Sequence, residues 1–486
     1  MLRIVSPRDN LFLLGAGFVV IILRVLFTLK TFTLSPDIST QLHTLVNFSN
    51  GKGITVNVFE NGVITAKPYS AHAPGLVLFL YLANTMTGDV ITSAYTVSLF
   101  SDLFICLFVF IASGYFFESV KYRMFLVLTT ALTVSPFYTC WPADYLATAW
   151  AVWSVYFLLL YNQKSKFVYF ILSSFFCTIS YFVKYSFFPF LAAPFLFVLY
   201  RQHIRGRIYS KDSILALFIS ILLYLICSFT NYLLIGKPAQ TVAVDYGFYP
   251  ENLLQFDSFL FHIGNYEIKV NRIIENISNN LLNWQLISGV LTVLSLLYLI
   301  NKFIKIYKVK DINSIRNILI VILLIYIVLI VFFLCIMSLV SPAILIDDNW
   351  TYVKTTRYYA PVIVLFNITL LYTLIHYKKK LLAYTIISLF TILHMLSFRS
   401  VLKVGNFGQD YFAYKGLESR ILNTSINRNS DKTFVVLFKG IEKFNDVYYV
   451  LNASGIVSID VDQFTINTQN SEFHFCELKQ LISCLK

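Results

Sequence analysis

The sequence predicts an all-α polytopic membrane protein with about eleven transmembrane helices, one further interfacial or re-entrant helix, and a small α/β domain at its C-terminal end. Three observations carry this prediction. First, the 486 residues are 57% hydrophobic and only 13% charged, and mean hydropathy is +0.70. A soluble domain carries about 25% charged residues, so a soluble chain of this length would lack the polar surface it needs. Second, apolar runs of near-spanning length recur along the chain, and about 20 such residues cross a hydrocarbon core. Third, the basic residues gather in the short turns between these runs. The net charge of +13 therefore reads as basic loops held on the cytoplasmic face, not as a nucleic-acid footprint.

The first run is Leu11–Leu29, interrupted by Arg24 and preceded by Arg3 and Arg8. It predicts an uncleaved first span, because no small-residue cleavage site follows and the chain re-enters the membrane repeatedly. Further spans are predicted over 92–117, 124–140, 143–161, 167–183, 186–200, 213–235, 284–301, 317–340, 359–376 and 381–397. The turns Arg201 to Lys211, Lys302 to Lys310 and Lys378–Lys379–Lys380 are basic, as are Lys164/Lys166 and Lys121/Arg123. These are predicted to be cytoplasmic together with the N-terminus, and loops 30–70, 236–283 and 341–358 to face the other side.

The apolar segment 71–87 disturbs this alternation. If it crossed as well as 92–117, Lys121 and Arg123 would lie on the outer face. The charge rule is restored when 71–87 stays at the outer interface or dips in and returns. His72 and Pro74 open it, Asn84 and Thr85 are polar, and Gly88–Asp89 ends it. Non-helical backbone at membrane depth is tolerated where protein or water covers it, which marks such a segment as a candidate site.

The division is thus a membrane domain over 1–397 and an extracytoplasmic domain over 398–486. The second part is polar, with strand-like runs at Phe434–Phe438, Val447–Leu451 and Gly455–Ile459, and carries no chemical motif. Cys106, Cys140, Cys177, Cys227 and Cys335 lie in apolar segments as small hydrophobes. Cys476 and Cys484 lie in the tail, where pairing in an oxidising compartment and two free thiols both stand open. No cysteine or histidine spacing matches a zinc site. There is no internal repeat to support an inverted-repeat transporter.

The informative stretch is the first outer loop. It opens Leu34–Ser35–Pro36–Asp37, passes Gly51–Lys52–Gly53, and closes with Lys67–Pro68–Tyr69–Ser70–Ala71–His72–Ala73–Pro74–Gly75. An acid after Ser-Pro reads as a helix cap. It also suits a general base that accepts a hydroxyl proton at the membrane surface. Asp102 lies inside an apolar run, where an ionisable group is costly and is either functional or paired. Trp141–Pro142–Ala143–Asp144–Tyr145 places another acid at an outer helix end. Lys184, at the apex of two short spans, either snorkels to headgroups or faces a phosphate. Arg357 precedes the 359–376 span as an anchor or a bidentate phosphate ligand.

An acid after the first span, a Gly-Lys-Gly element and a His-Ala-Pro-Gly turn leading into an apolar helix resemble the GT-C glycosyltransferases. These use polyprenyl-phosphate-linked sugars and include the protein O-mannosyltransferases and the lipid A aminoarabinose transferases. Asp102, the Asp144 motif and Lys184–Tyr185–Ser186 extend the resemblance over about 1–200. The resemblance implies that Asp37 is the catalytic base and that Asp144 and Asp102 orient the acceptor or sugar. It also places His72 and Lys184 at the lipid phosphate, for which Lys67 and Arg357 are further candidate ligands. In the aminoarabinose transferases a Lys-Pro-Pro turn holds that phosphate, whereas this chain has His72–Ala73–Pro74.

The expected partners are a polyprenyl-phosphate sugar donor, a glycan, lipid or protein acceptor, and the bilayer, with no nucleic acid. A divalent metal is compatible with the reaction but not required, because the leaving group is already a stable phosphate. The layout also resembles the serotype-converting glucosyltransferases, which makes a surface glycan such as O-antigen or lipopolysaccharide the expected acceptor and the bacterial inner membrane the expected location. Two other functions remain open. An O-antigen-type polymerase would use an Arg-rich central outer loop, but loop 236–283 carries more acids than bases. A lipid-linked-sugar flippase would show repeats and little outside the membrane.

Overall fold

The computed structural model describes residues 36–134 apart from 61, 62 and 118, all of 142–238, then 247–250, 284–310, 314–340 and 356–403. It also describes parts of 15–29 and three short strands in the tail. The predicted loops 236–283 and 341–358 fall mostly outside these residues, as do the tail connections, Cys476 and Cys484.

Twelve α-helices are described. They are α1 (Pro36–Ser49), α2 (Gly75–Thr87), α3 (Val90–Phe116), α4 (Val120–Val134), α5 (Pro142–Lys164), α6 (Phe167–Val183), α7 (Ala193–Ile204), α8 (Lys211–Ile235), α9 (Trp284–Val309), α10 (Ile315–Val340), α11 (Ala360–His376) and α12 (Lys380–Lys403). Two 3-10 segments, Tyr185–Ala192 and Thr356–Tyr359, precede α7 and α11. Among the described residues, six helical stretches are long and apolar enough to cross a membrane. The predicted spans and the observed helices coincide closely, and one difference is local. The start of the predicted 186–200 span is a 3-10 segment because Pro189 lies inside it and interrupts α-helical hydrogen bonding.

Helix α5 is the hub. It is apolar all round, and small Ala143, Ala147, Ala149 and Ala151 let neighbouring backbones approach closely. It packs mainly against α6 and α3. Phe104 stacks on Trp153 at 5.0 Å, and the Trp153 indole N–H donates to the Phe104 carbonyl at 3.0 Å. Deeper in the bundle, the Ser154 and Tyr326 hydroxyls lie 2.7 Å apart and the Cys177 thiol donates to Ser154 Oγ at 3.2 Å. This buried polar knot ties α5, α6 and α10 together. By contrast, α8 leaves Phe218, Leu225, Phe229 and Leu233 exposed, a surface suited to lipid.

Helix directions settle how α2 sits. Phe104 meets Trp150 and Phe108 meets Trp153, so α3 and α5 run the same way. The start of α2 lies against the end of α6, where a Cβ on Gly75 would fall on the Phe182 carbonyl. Since α2 and α3 both begin at this end of the bundle, α2 does not traverse it. Its thirteen residues also reach only about 20 Å, short of a hydrocarbon core of ~30 Å. Gly88 ends the helix in the left-handed conformation, and Asp89 Oδ2 caps α3 by accepting the Thr92 N–H at 2.6 Å. Gly75→Ala is expected to destabilise the chain by about 1–3 kcal/mol, because the added methyl meets backbone rather than a flexible side chain. Thermal denaturation in detergent would read this out, and an unchanged midpoint would contradict the close approach.

The first outer loop, where the apolar pattern predicts no regular element between Gly53 and Lys67, contains a hairpin. Strands β1 (Thr55–Glu60) and β2 (Val63–Pro68) pair antiparallel, from Thr55 opposite Pro68 to Glu60 opposite Val63. In the tail, β3 (Val435–Phe438) lies between β4 (Val457–Asp460) and β5 (Phe473–Phe475), parallel to both. Two of the predicted tail strands therefore appear with slightly shifted limits, and the third, Val447–Leu451, lies outside the described residues.

Candidate functional site

Two helix N-termini and two turns meet at the end of the bundle where α2 and α3 begin. Pro36 starts α1 and places Asp37 in its first turn, and Pro142 starts α5 and places Asp144 in its first turn. Proline is favoured at a first helical position, and the positive end of the helix dipole favours a carboxylate there. Asp37, Ile38, Gln41, Pro142, Ala143, Asp144 and Lys184 line one small cleft.

The two carboxylates differ in environment. The Asp37 side chain is 32% exposed and its Oδ1 lies 3.6 Å from His72 Nε2. The Asp144 side chain is 1% exposed, and its Oδ2 lies 3.4 Å from Lys184 Nζ. Asp37 is thus open to a substrate proton, whereas Asp144 is held as the buried half of an ion pair. Two carboxylates in contrasting surroundings are how one site separates roles.

Local structure fixes both pairs. Lys184 ends α6, where its N–H donates to the Ser180 carbonyl at 3.0 Å. Ser180 Oγ in turn donates to the Ala147 carbonyl at 2.7 Å, locking the end of α6 to the start of α5. The hairpin guides the chain from α1 back to His72. The Asn57 N–H donates to His43 Nε2 at 3.1 Å, and Asn47 Nδ2 donates to the Thr55 carbonyl at 3.0 Å. The Tyr69 N–H then donates to the Ile54 carbonyl at 3.0 Å, which brings the turn alongside α1. The Tyr69 and His72 rings meet edge-to-face at 5.6 Å. Burial, and then the nearby Asp37 carboxylate, push the Tyr69 phenol well above its usual range, so it remains a neutral hydroxyl at physiological pH.

The structure therefore brings Asp37, His72, Asp144 and Lys184 together at one end. Lys67 stands exposed on β2, opposite Val56, and does not line the cleft. Asp102 is fully buried within α3, away from the cleft lining. Arg357 belongs to the 3-10 segment Thr356–Tyr359 before α11; its side chain lies outside the described atoms. Gln41 and Tyr69 were missed by the sequence reading. Gln41 was findable, because it lies one helical turn after Asp37 and so shares its face. Asp37 and His72 supply two potential metal donors, and among the described residues no group of three or more His, Cys, Asp or Glu could hold a metal ion.

No family model matches the sequence, and no curated protein matches it. Solved structures are similar in fold. The structure of ArnT from Cupriavidus metallidurans bound to undecaprenyl phosphate aligns over 98% of this chain and 94% of that one, with a TM-score of 0.51 at 11% identity. The same protein in the apo state aligns over 97% and 93%, with a TM-score of 0.48 at 12% identity. At such identity the first likeness speaks to fold, and it extends over nearly the whole of both chains. The chain is a multi-pass membrane protein that shares the fold of ArnT.

Proposed function

We propose that the chain is a glycosyltransferase that moves a sugar from a polyprenyl-phosphate donor to an acceptor hydroxyl at the extracytoplasmic face. The observation that carries this reading is the cleft at one end of the bundle, in which an accessible carboxylate with a histidine partner stands beside a buried carboxylate–lysine pair. The shared fold with a structure bound to undecaprenyl phosphate supports it.

In this reading, the acceptor hydroxyl attacks the anomeric carbon of the donor and Asp37 takes up its proton. The bond from that carbon to the phosphate oxygen breaks, and its electron pair leaves with the lipid phosphate. His72 and Lys184 receive the developing negative charge, which hydrogen-bond donors and cations stabilise most where water is excluded. Asp144 keeps Lys184 charged and oriented. Asp102, Lys67 and Arg357 take supporting roles, and a divalent metal is compatible but not required. A bacterial inner membrane with the N-terminus inside, and a surface glycan such as O-antigen or lipopolysaccharide as acceptor, complete the proposal.

The test is a transfer assay. Membranes containing the chain are incubated with a radiolabelled polyprenyl-phosphate sugar. Label on the acceptor, with release of polyprenyl phosphate, supports the proposal. Label that crosses the bilayer still attached to lipid would favour a flippase instead. His72→Ala is expected to raise the donor KM by roughly 10- to 100-fold with a smaller effect on kcat, since a hydrogen bond to a charged group is worth about 1.5–3 kcal/mol. An unaltered KM would remove His72 from the phosphate contact.

A further inference from the structure

The end of the bundle opposite the cleft carries a cluster that plays no part in the proposed reaction. Lys302 of α9 lies with its Nζ 3.6 Å from the ring centre of Tyr377 and 5.2 Å from that of Tyr298. The Arg316 guanidinium, in the first turn of α10, lies 5.1 Å from the same Tyr377 ring. Tyr377 sits in the turn between α11 and α12, immediately before Lys378–Lys380. These three lysines are exposed, and Lys378 adopts the left-handed conformation, φ 59°, which is costly for a residue with a side chain.

Two half-buried cations from different helices thus share one aromatic ring. The negative face of the ring attracts each of them but does not cancel their repulsion. Among the described residues neither is in an ion pair, and Arg316 donates Nε and Nη2 to the amide oxygen of its neighbour Asn317, at 2.9 and 2.7 Å. An anion that accepts from both at once would relieve that repulsion.

We propose that Lys302, Arg316, Tyr377 and Lys378 form a binding site for the phosphate headgroup of an anionic phospholipid. The position commits the ligand to the bilayer. The cluster lies at the ends of α9 and α10, which are both of membrane-crossing length and apolarity. Beside it, just past Lys378–Lys380, α12 leaves Leu381 and Leu382 exposed. Exposed aliphatic side chains next to a group of cations match an acyl chain and its headgroup. Basic pockets between membrane helices recognise anionic lipids in this way.

The test uses the full chain in lipid nanodiscs, with bound lipid counted by native mass spectrometry after release. With mixed phosphatidylglycerol and phosphatidylcholine, the wild type is expected to retain phosphatidylglycerol about tenfold in preference, as charge-assisted contacts to phosphate imply. Lys302→Gln with Arg316→Gln should reduce this to roughly twofold or less, whereas Lys164→Gln with Lys166→Gln, lysines in the α5–α6 turn, should keep it. Retained preference in the first double variant, or equal loss in the second, overturns the site. Should the first double variant not fold in phosphatidylcholine alone, Lys302→Gln is compared with the charge-keeping Lys302→Arg. Equal retention by those two overturns the site as well.

Discussion

Asp37→Asn is expected to slow sugar transfer by roughly 10²–10⁴-fold, the range general-base catalysis contributes. The substitution isolates the proton acceptor. Asn has nearly the shape of Asp and is equally compatible with a helix start, so α1 and the hairpin held by His43 and Asn47 should remain in place. The amide can still orient a hydroxyl, but it cannot accept its proton. The loss is therefore expected in kcat, with donor KM little altered, because the interaction exists only as the hydroxyl is deprotonated. Asp37 is the better candidate because it is one-third exposed, whereas Asp144 is closed in with Lys184. A fully active Asn variant would remove Asp37 as the base. Loss of donor binding without a fall in kcat would move it to the phosphate side of the site.

The helical frame was legible because membrane insertion imposes its rule directly on composition. A span must be apolar for about 20 residues, and the runs at 92–117, 143–161, 213–235 and 317–340 become α3, α5, α8 and α10 with limits shifted by a few residues. Segment 71–87 could be singled out by the charge of Lys121 and Arg123 alone, and the parallel course of α3 and α5 gives the geometric counterpart: α2 and α3 begin at the same end of the bundle. The hairpin was also written in the chain. Alternating Thr55–Glu60 and Val63–Pro68 flank Asn61–Gly62, a strong two-residue hairpin signal, but apolar bookkeeping passes over a strand pair that is half polar. The pairing of Asp144 with Lys184 could not be read from spacing. It depends on the end of α6 being bonded to the start of α5, forty residues apart in the chain. The same limit explains Lys67. It is near His72 in sequence, yet it sits within β2 and is not among the residues that line the cleft.

The Asp144–Lys184 pair allows structure and chemistry to be separated in one experiment. Both side chains are almost wholly buried, so removing either one leaves an uncompensated charge. Lys184→Met alone, or Asp144→Asn alone, is expected to cost about 3–5 kcal/mol, seen as a large fall in the thermal midpoint in detergent. Replacing both, as Asp144→Asn with Lys184→Met, removes the charge imbalance and should recover most of that loss, since a buried pair is often no more stabilising than neutral residues of similar size. The recovery is a coupling energy between the two sites, and its absence would mean that the 3.4 Å approach carries no energetic weight. Activity then distinguishes the two roles. If Lys184 serves only to neutralise Asp144, the refolded double variant transfers sugar at close to the wild-type rate. If its ammonium also receives the leaving phosphate, the double variant is stable and nearly inactive. The second outcome is expected, because Lys184 lines the same cleft as Asp37, and a positive charge with no role beyond its carboxylate partner would not need to face it.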